Sequence, residues 1–187
     1  LLVGLTPASG QYLREKAIPG QALELVSRPV FLPAAQRLDR QVPVMTNPHL
    51  PAVRRRLLDI VAEIVSGYPV DGVVFDDRLR YAGLNADFSE PARAAFEAWV
   101  GRPVRWPEDV FRWEVAFPSL ARREVPGPLF DAWAAFRAMT LRNFVAETVR
   151  TVRGIRPDAQ VGTYVGSWYP DYPDLGANWA ADDLAIG

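Results

Sequence analysis

One short segment limits the possible folds of this chain more than any other. The residues from Val70 to Phe75 are mainly apolar and do not alternate with polar ones, and Asp76 and Asp77 follow at once. Such a stretch predicts a strand that is covered on both faces, as in a parallel sheet. The two acids then stand at the carboxyl end of the strand, where (β/α)8 barrels carry their reactive groups.

A long amphipathic helix is predicted directly before this strand. Apolar residues recur every three or four positions between Pro51 and Gly67, with proline in the first turn and glycine at the end. The stripe predicted to be buried consists of Val53, Leu57, Leu58, Val61, Ile64 and Val65. The arginines at 54–56 lie off this stripe and are predicted to form a solvent-exposed face.

Further elements are predicted on both sides. A second long helix has a buried stripe from Trp133 to Val152, with Trp133 and Phe136 in the core, and ends at Gly154. A β-rich stretch at 160–165 predicts another strand. The remaining predictions are strands at 1–5, 42–45 and 183–186, a helix at 90–100 capped by Ser89, and a loop with one short helix over 6–40.

The order of these elements predicts an α/β fold with parallel strands. Connections after strands are long and those before strands are short, as in a (β/α)8 barrel, although a doubly wound sheet shows the same asymmetry. Since a full barrel needs roughly 250 residues and this chain has 187, we expect a partial (β/α)8 TIM-barrel. The expectation is a single domain over 1–187 with an insertion at about 82–130, and Leu1 suggests a piece of a larger precursor.

Composition excludes several classes of function. The net charge of -1 argues against nucleic-acid binding, and no apolar run is long enough for a membrane span. Without cysteine there is no disulfide or thiolate metal site. The single histidine, His49, excludes a site with two imidazoles, and also a Ser-His-Asp triad in which His49 is not the base. No cofactor or metal is expected, and no Gly-rich phosphate loop occurs. The compartment stays open, including secretion or the cell envelope.

Asp76 and Asp77 are the candidate catalytic residues. Because side chains alternate along a strand, the two carboxylates should face opposite ways, one toward the barrel mouth. An equally good interpretation at this point is that both acids only cap the following loop or helix. The side chains alone do not decide between these readings.

A resemblance adds to this interpretation. Most of the chain from Val42 onward resembles a bacterial family of glycosyl hydrolase-like proteins, family 10, which is related to the alpha-amylase superfamily. The segments that carry the resemblance are Thr46-Asn47-Pro48, the helix at 52–66, residues 67–72 and 75–77, the stretch 85–113, Arg137, Phe144-Val145 and Arg156-Pro157.

The resemblance implies roles for individual residues. It puts the nucleophile of the superfamily at Asp76, with Asp77 as second choice, and places Arg80 and Tyr81 near the substrate after a shift of one position. Two features depart from the superfamily: Val74 stands where an arginine is usual, and residues 161–167 contain no glutamate for the acid. The second carboxylate is therefore unidentified.

Several residues are predicted to bind sugar. Aromatic rings stack on the apolar faces of pyranoses, and four aromatics follow the strand at 160–165 within one Pro-rich loop: Trp168, Tyr169, Tyr172 and Trp179. Some of them could simply pack this loop onto the domain. Asn47 and His49 follow another strand end and are predicted to hydrogen-bond sugar hydroxyls, although a lone loop histidine is more often structural.

The predicted function is hydrolysis of a polysaccharide or oligosaccharide by carboxylate chemistry. Such chemistry normally needs two carboxyl groups, about 5 Å apart for retention or roughly 6.5–9.5 Å apart for inversion. Because the second is missing, the alternative is a non-catalytic carbohydrate-binding or cell-envelope module. A third reading, a hydrolase that holds Ca²⁺ or Mg²⁺ between Asp76 and Asp77, ranks last because the two side chains should point apart.

Overall fold

A computed structural model describes residues 11–13, 20, 22–23, 25–27, 45–76, 79–81, 87–116 and 121–163 of the chain. These residues form both helices and strands, which confirms the mixed α/β character predicted from the sequence. In chain order the elements are β1 (Gln11–Leu13), β2 (Leu25–Ser27), α1 (Pro51–Gly67), β3 (Gly72–Phe75), α2 (Glu90–Val100), β4 (Phe111–Ala116), β5 (Ala121–Pro126), α3 (Phe130–Ile155) and β6 (Gln160–Thr163).

The chain divides into two compact units, each built from two stretches of sequence. Residues 48–81 and 134–187 make up one of them, here called the parallel-sheet unit. It contains α1, β3, β6 and all but the first turn of α3. Residues 1–47 and 82–133 make up the other, here called the hairpin unit, which contains α2 and two antiparallel strand pairs.

The parallel-sheet unit is organised around the pairing of β3 with β6. The two strands run parallel, with Gly72 opposite Gln160 and Phe75 opposite Thr163. The N–H of Gln160 donates to the carbonyl of Asp71 at 2.9 Å, just before this register begins. A long helix precedes each strand, as parallel strands require of their connections. The parallel pairing predicted for these two segments is confirmed, and β3 begins two residues later than predicted.

Helix α1 has the predicted bounds but a smaller buried face. The helix runs over Pro51–Gly67, and a proline stands in its first turn. Val61 and Val65 are its buried residues. By contrast, Leu57 and Ile64 remain 37% and 36% exposed. The predicted stripe is therefore right for the two valines and wrong for these two larger residues.

The core of the unit lies between the helices and one face of the sheet. It is formed by buried residues of α1, α3 and the turn before β6, with apolar residues of the strands packed against them. These residues are Val61, Val65, Val152 and Ala159 at the centre, with Val70, Val73, Phe75 and Val161 around them. Burial of this apolar surface is the main source of stability for the unit.

The opposite face of β3 has a different environment. Side chains alternate along a strand, so Val74 points away from the face that carries Val73 and Phe75. Val74 is 75% exposed. The prediction that this strand is covered on both faces is therefore wrong for the described structure, where the helices cover one face.

Polar contacts tie the helices to each other and to the chain before β3. Arg54 of α1 pairs with Glu147 of α3. Arg156, after the end of α3, donates to the carbonyl of Tyr68 at 3.2 Å and also to the carbonyl of Val70. The exposed face predicted for residues 54–56 is right for the second and third arginines but wrong for Arg54, which is half-buried.

The hairpin unit contains strands that the sequence analysis missed. β1 pairs with β2, although a loop with one short helix was predicted over 6–40. β4 and β5 form an antiparallel pair in which Phe111 lies opposite Pro126 and Ala116 opposite Ala121. The corresponding segment was predicted only as part of an irregular insertion, so both predictions are corrected here.

Helix α2 agrees closely with its prediction. The side chain of Ser89 accepts a hydrogen bond from the N–H of Ala92 at 3.3 Å, which caps the first turn. Gly101 ends the helix in the left-handed conformation, with φ of 73°.

The hairpin unit is held together by a cluster of aromatic rings from α2, β4, α3 and the segments next to them: Phe88, Phe96, Trp106, Phe111, Phe130 and Trp133.

Some predicted elements lie outside the described residues. These are the strands at 1–5 and 183–186 and most of the strand at 42–45, of which only Met45 is described. Among the helices that the structure describes, none is long and apolar enough to cross a membrane.

Candidate functional site

Asp76 occupies the position expected of a reactive carboxylate. It follows Phe75 directly at the carboxyl end of β3, and its side chain is exposed. The N–H of Leu79 donates to the carbonyl of Asp76 at 3.3 Å. The neighbouring strand β6 ends at Thr163, opposite Phe75. The acid therefore stands at the edge where both parallel strands end.

Five predicted site residues, Asp77 and the four aromatic residues that follow β6 in the sequence, lie outside the described residues. The predicted roles of Asp77, Trp168, Tyr169, Tyr172 and Trp179 therefore stay predictions. Arg80 is described and is half-buried in the turn that follows β3.

Tyr81 and His49 come together in the parallel-sheet unit. The hydroxyl of Tyr81 lies 3.0 Å from Nε2 of His49, within hydrogen-bond distance. On its face, the imidazole stacks on Phe136 with ring centroids 5.3 Å apart and planes inclined by 6°. Tyr81 is buried, with 3% of its surface exposed. Two residues predicted to bind substrate are thus neighbours. The sequence analysis did not predict this contact.

Arg137 of α3 completes this cluster. Its guanidinium carbon lies 4.1 Å from the centroid of the Tyr81 ring, which is a cation–π contact. The arginine is only 1% exposed. From the sequence, Arg137 was cited for the resemblance and interpreted as part of a solvated helix face, with pairing to a cleft carboxylate as the alternative. Its burial shows that the solvated interpretation is wrong. A signal was present, because Arg137 lies four positions from both Trp133 and Leu141, which are buried.

The surroundings of His49 keep its imidazole neutral. Burial, together with the positive charges of Arg137 and Arg54, lowers the pKa of His49 from 6.5 to about 4. Near neutral pH the ring therefore carries one donor and one acceptor nitrogen. It can exchange a hydrogen bond with Tyr81, but it does not supply a positive charge.

This lowered pKa predicts a specific dependence of stability on pH. Between pH 6.5 and about pH 4 the unfolded chain binds a proton at His49 that the folded protein does not, so the free energy of unfolding falls as the pH falls. Since one pKa unit corresponds to about 1.4 kcal/mol and His49 keeps some contact with solvent, we expect a loss of about 2 kcal/mol over this range.

The measurement is chemical denaturation of the native protein and of His49→Gln at intervals from pH 7 to pH 4. The acids titrate in both proteins, so the difference between the two curves isolates the histidine. Parallel curves would show that His49 is protonated equally in the folded and unfolded states.

Asn47 lies in a different environment from the one predicted. It belongs to the hairpin unit, is 1% exposed, and donates from its amide to Oγ of Ser89 at 2.8 Å. Ser89 in turn donates to Asp87 at 2.8 Å, and Asp87 also accepts the N–H of Leu23 at 2.8 Å. These contacts hold the side chain of Asn47 beside the start of α2, and its predicted contact with a sugar stays a prediction.

Asp87 is a buried carboxylate that the sequence analysis did not single out. It is 1% exposed and accepts hydrogen bonds from the N–H groups of Leu23 and Ser89 and from the hydroxyl of Ser89. The signal was the spacing of Asp87 and Ser89 directly before a helix, a pattern typical of residues that satisfy free backbone N–H groups.

Two further features bear on the chemistry. A cavity of about 390 Å³ is lined by residues 71–74 and 160–162. It does not include Asp76, so we do not assign it to the candidate site. Among the residues described, no three side chains of the metal-binding types come together.

Comparison with known proteins agrees with the sequence pattern. Residues 38–181 match the family Glycosyl hydrolase-like 10. Over 146 residues, or 74% of this chain, the sequence is 33% identical to an S-layer-related protein from Niallia circulans. The match spans only 9% of that relative's length. The relation to the alpha-amylase superfamily stays a prediction. The resemblance seen in the sequence is confirmed: the chain belongs to the Glycosyl hydrolase-like 10 family.

Proposed function

We propose that this chain contributes the carboxylate and part of the substrate-binding surface of a glycoside hydrolase that acts on a polysaccharide or oligosaccharide. The observation that carries the proposal is the exposed side chain of Asp76 at the carboxyl end of β3, which pairs in parallel with β6. Family membership supports the same class of substrate.

The fold that we propose with this function is a partial (β/α)8 barrel in a single domain over 1–187, with an insertion at about 82–130. The unit formed by α1, β3, α3 and β6 supports it, since each parallel strand is preceded by a helix that packs on one face of the sheet. In such a barrel the exposed face that carries Val74 is the inner one.

Asp76 is the proposed nucleophile or charge stabiliser. Cleavage of a glycosidic bond passes through an oxocarbenium-like transition state, and a carboxylate beside the anomeric carbon stabilises its positive charge. An exposed carboxylate at a strand end can approach the sugar, whereas Asp87 is enclosed by its hydrogen bonds. Asp77 is the second choice for the same role.

The proposed binding surface surrounds this acid. Arg80 follows β3 on the same turn, and the pair of Tyr81 and His49 lies in the same unit. Because Tyr81 is buried, we propose that it acts by orienting His49, which is the more exposed of the two. The aromatic residues that follow β6 in the sequence, Trp168, Tyr169, Tyr172 and Trp179, are the proposed stacking platform.

A non-catalytic role in carbohydrate binding at the cell envelope is the second candidate. This candidate is favoured by the number of carboxylates at the strand ends. Among the described residues, Asp76 follows β3, but no acidic residue stands at the end of β6. The name of the S-layer-related relative suggests the same location. We propose the cell surface as the place of action for either function.

The two functions are separated by incubating the protein with soluble glycans and measuring both binding and the release of reducing ends. Hydrolysis predicts new reducing ends that increase with time and enzyme concentration. The binding module predicts retention of the protein on the glycan with no increase. If the protein neither binds nor cleaves any glycan of a broad panel, a carbohydrate function is contradicted.

A further inference from the structure

Helix α1 carries a second apolar face besides the one in the core. Leu57, Ile60 and Ile64 are 37%, 38% and 36% exposed, respectively. They lie three and four residues apart, so they form one continuous stripe along the helix. Val61 and Val65, by contrast, are buried in the core of the parallel-sheet unit. The stripe is therefore additional to the face that stabilises the fold.

The spacing of this stripe is that of a helix–helix contact. Val53, Leu57, Ile60 and Ile64 follow one another at intervals of four, three and four, which are the a and d positions of a heptad repeat. Arg56 and Glu63 directly precede Leu57 and Ile64, and both charged residues are exposed. They occupy the g positions, which select the partner and its direction.

We propose that α1 pairs with α1 of a second copy of this chain, with the two helices antiparallel. In an antiparallel pair, the a positions of one helix pack against the d positions of the other. Leu57 then packs against Ile60 of the second copy, and Ile64 packs against Val53 of the second copy. The same register places Arg56 beside Glu63 of the second copy. Symmetry repeats the contact, which gives two pairs of opposite charge across the interface.

The charges favour this arrangement over a parallel one. In a parallel pair the g residues face the e residues of the other helix, which puts Arg56 beside Val61. Val61 is buried in the core of its own unit and has no charge to offer. The antiparallel arrangement uses both charged residues of each copy, so the helix is complementary to itself.

The test is a set of charge reversals at exposed positions, measured by sedimentation velocity over a range of protein concentrations. Arg56→Glu and Glu63→Arg each replace two attractive pairs by two repulsive ones, and we expect each to weaken dimerisation roughly ten-fold. The double variant Arg56→Glu with Glu63→Arg restores both pairs and should recover the native dimerisation. Arg55→Glu changes the same charge on the far side of the helix and is the matched control.

The outcomes are distinct. A native protein that stays monomeric at high concentration overturns the proposal and assigns the stripe to another occupant, such as a helix of a different protein. A dimer that is unaffected by the single reversals, or that the double variant fails to recover, also overturns it. Circular dichroism of each variant establishes that α1 is still folded.

Discussion

Replacing Asp76 by Asn is expected to lower glycan turnover by about a hundred- to a thousand-fold, which is typical when a group that stabilises transition-state charge is lost. The amide keeps the shape of the side chain but removes the negative charge that an oxocarbenium-like transition state requires. Because Asp76 is exposed, the substitution should leave the fold intact. Reducing-end release and glycan binding, measured on the same preparation, are the two readouts.

Asp71 provides a matched control for this experiment. It is an exposed aspartate that directly precedes β3, at the opposite end of the strand from Asp76. Asp71→Asn should therefore turn over glycan at close to the native rate. Equal rates for the native protein and Asp76→Asn would remove Asp76 from the mechanism. A protein that binds glycan in all three forms but never cleaves it would instead support the binding module.

Gly72→Ala is expected to destabilise the parallel-sheet unit by at least about 3 kcal/mol, at the upper end of what overpacking usually costs. A Cβ at this position would overlap the carbonyl oxygen of Gln160 and lie 2.9 Å from its backbone carbon and nitrogen. These are main-chain atoms of the paired strand, so they cannot turn aside as a flexible side chain would. The strands would have to separate where their pairing begins.

Gly162→Ala is the control from the same sheet. Its Cβ would meet only Val74, at 3.6 Å and 3.9 Å from the two methyl carbons, which are ordinary contact distances. We therefore expect a change in the free energy of unfolding well under 1 kcal/mol. Chemical denaturation of the two variants makes the comparison. Similar losses for both would mean that β3 and β6 are not as closely paired as the register requires.

Elements defined by local signals were predictable from the sequence. Pro51 in the first turn of α1 and Ser89 at the cap of α2 each act on neighbouring residues, and the predicted bounds of both helices are confirmed. The stretch from Gly72 to Phe75 was equally clear, because its apolar residues have no polar alternation. These signals depend on the chain within a few positions of each residue.

Elements defined by distant contacts were not predictable. Apolar and charged residues alternate in Phe111–Ala116, which is a strand signal, but the many prolines nearby obscured it. The exposure of Val74 depends on what covers the second face of the sheet, and periodicity carries no information about that.

The candidate site shows the same division. The position of Asp76 at the end of β3 followed from the strand itself. The contact of Arg137 with Tyr81 joins α3 to the turn after β3, so no local pattern could predict the pair. Asn47 was a candidate because it follows a predicted strand, yet its burial depends on Ser89, which is far away in the sequence.

The hydrogen bonds around Asp87 have a consequence for the order in which the protein acquires its structure during synthesis. The N–H of Leu23 donates a hydrogen bond to Asp87, which lies 64 residues further along the chain. The amide of Asn47 donates to Ser89, which lies 42 residues after it. The early part of the hairpin unit therefore emerges from the ribosome before its buried partners exist. Such long-range contacts form slowly, and these two buried bonds can form only after residues 87–89, at the start of α2, have been synthesised.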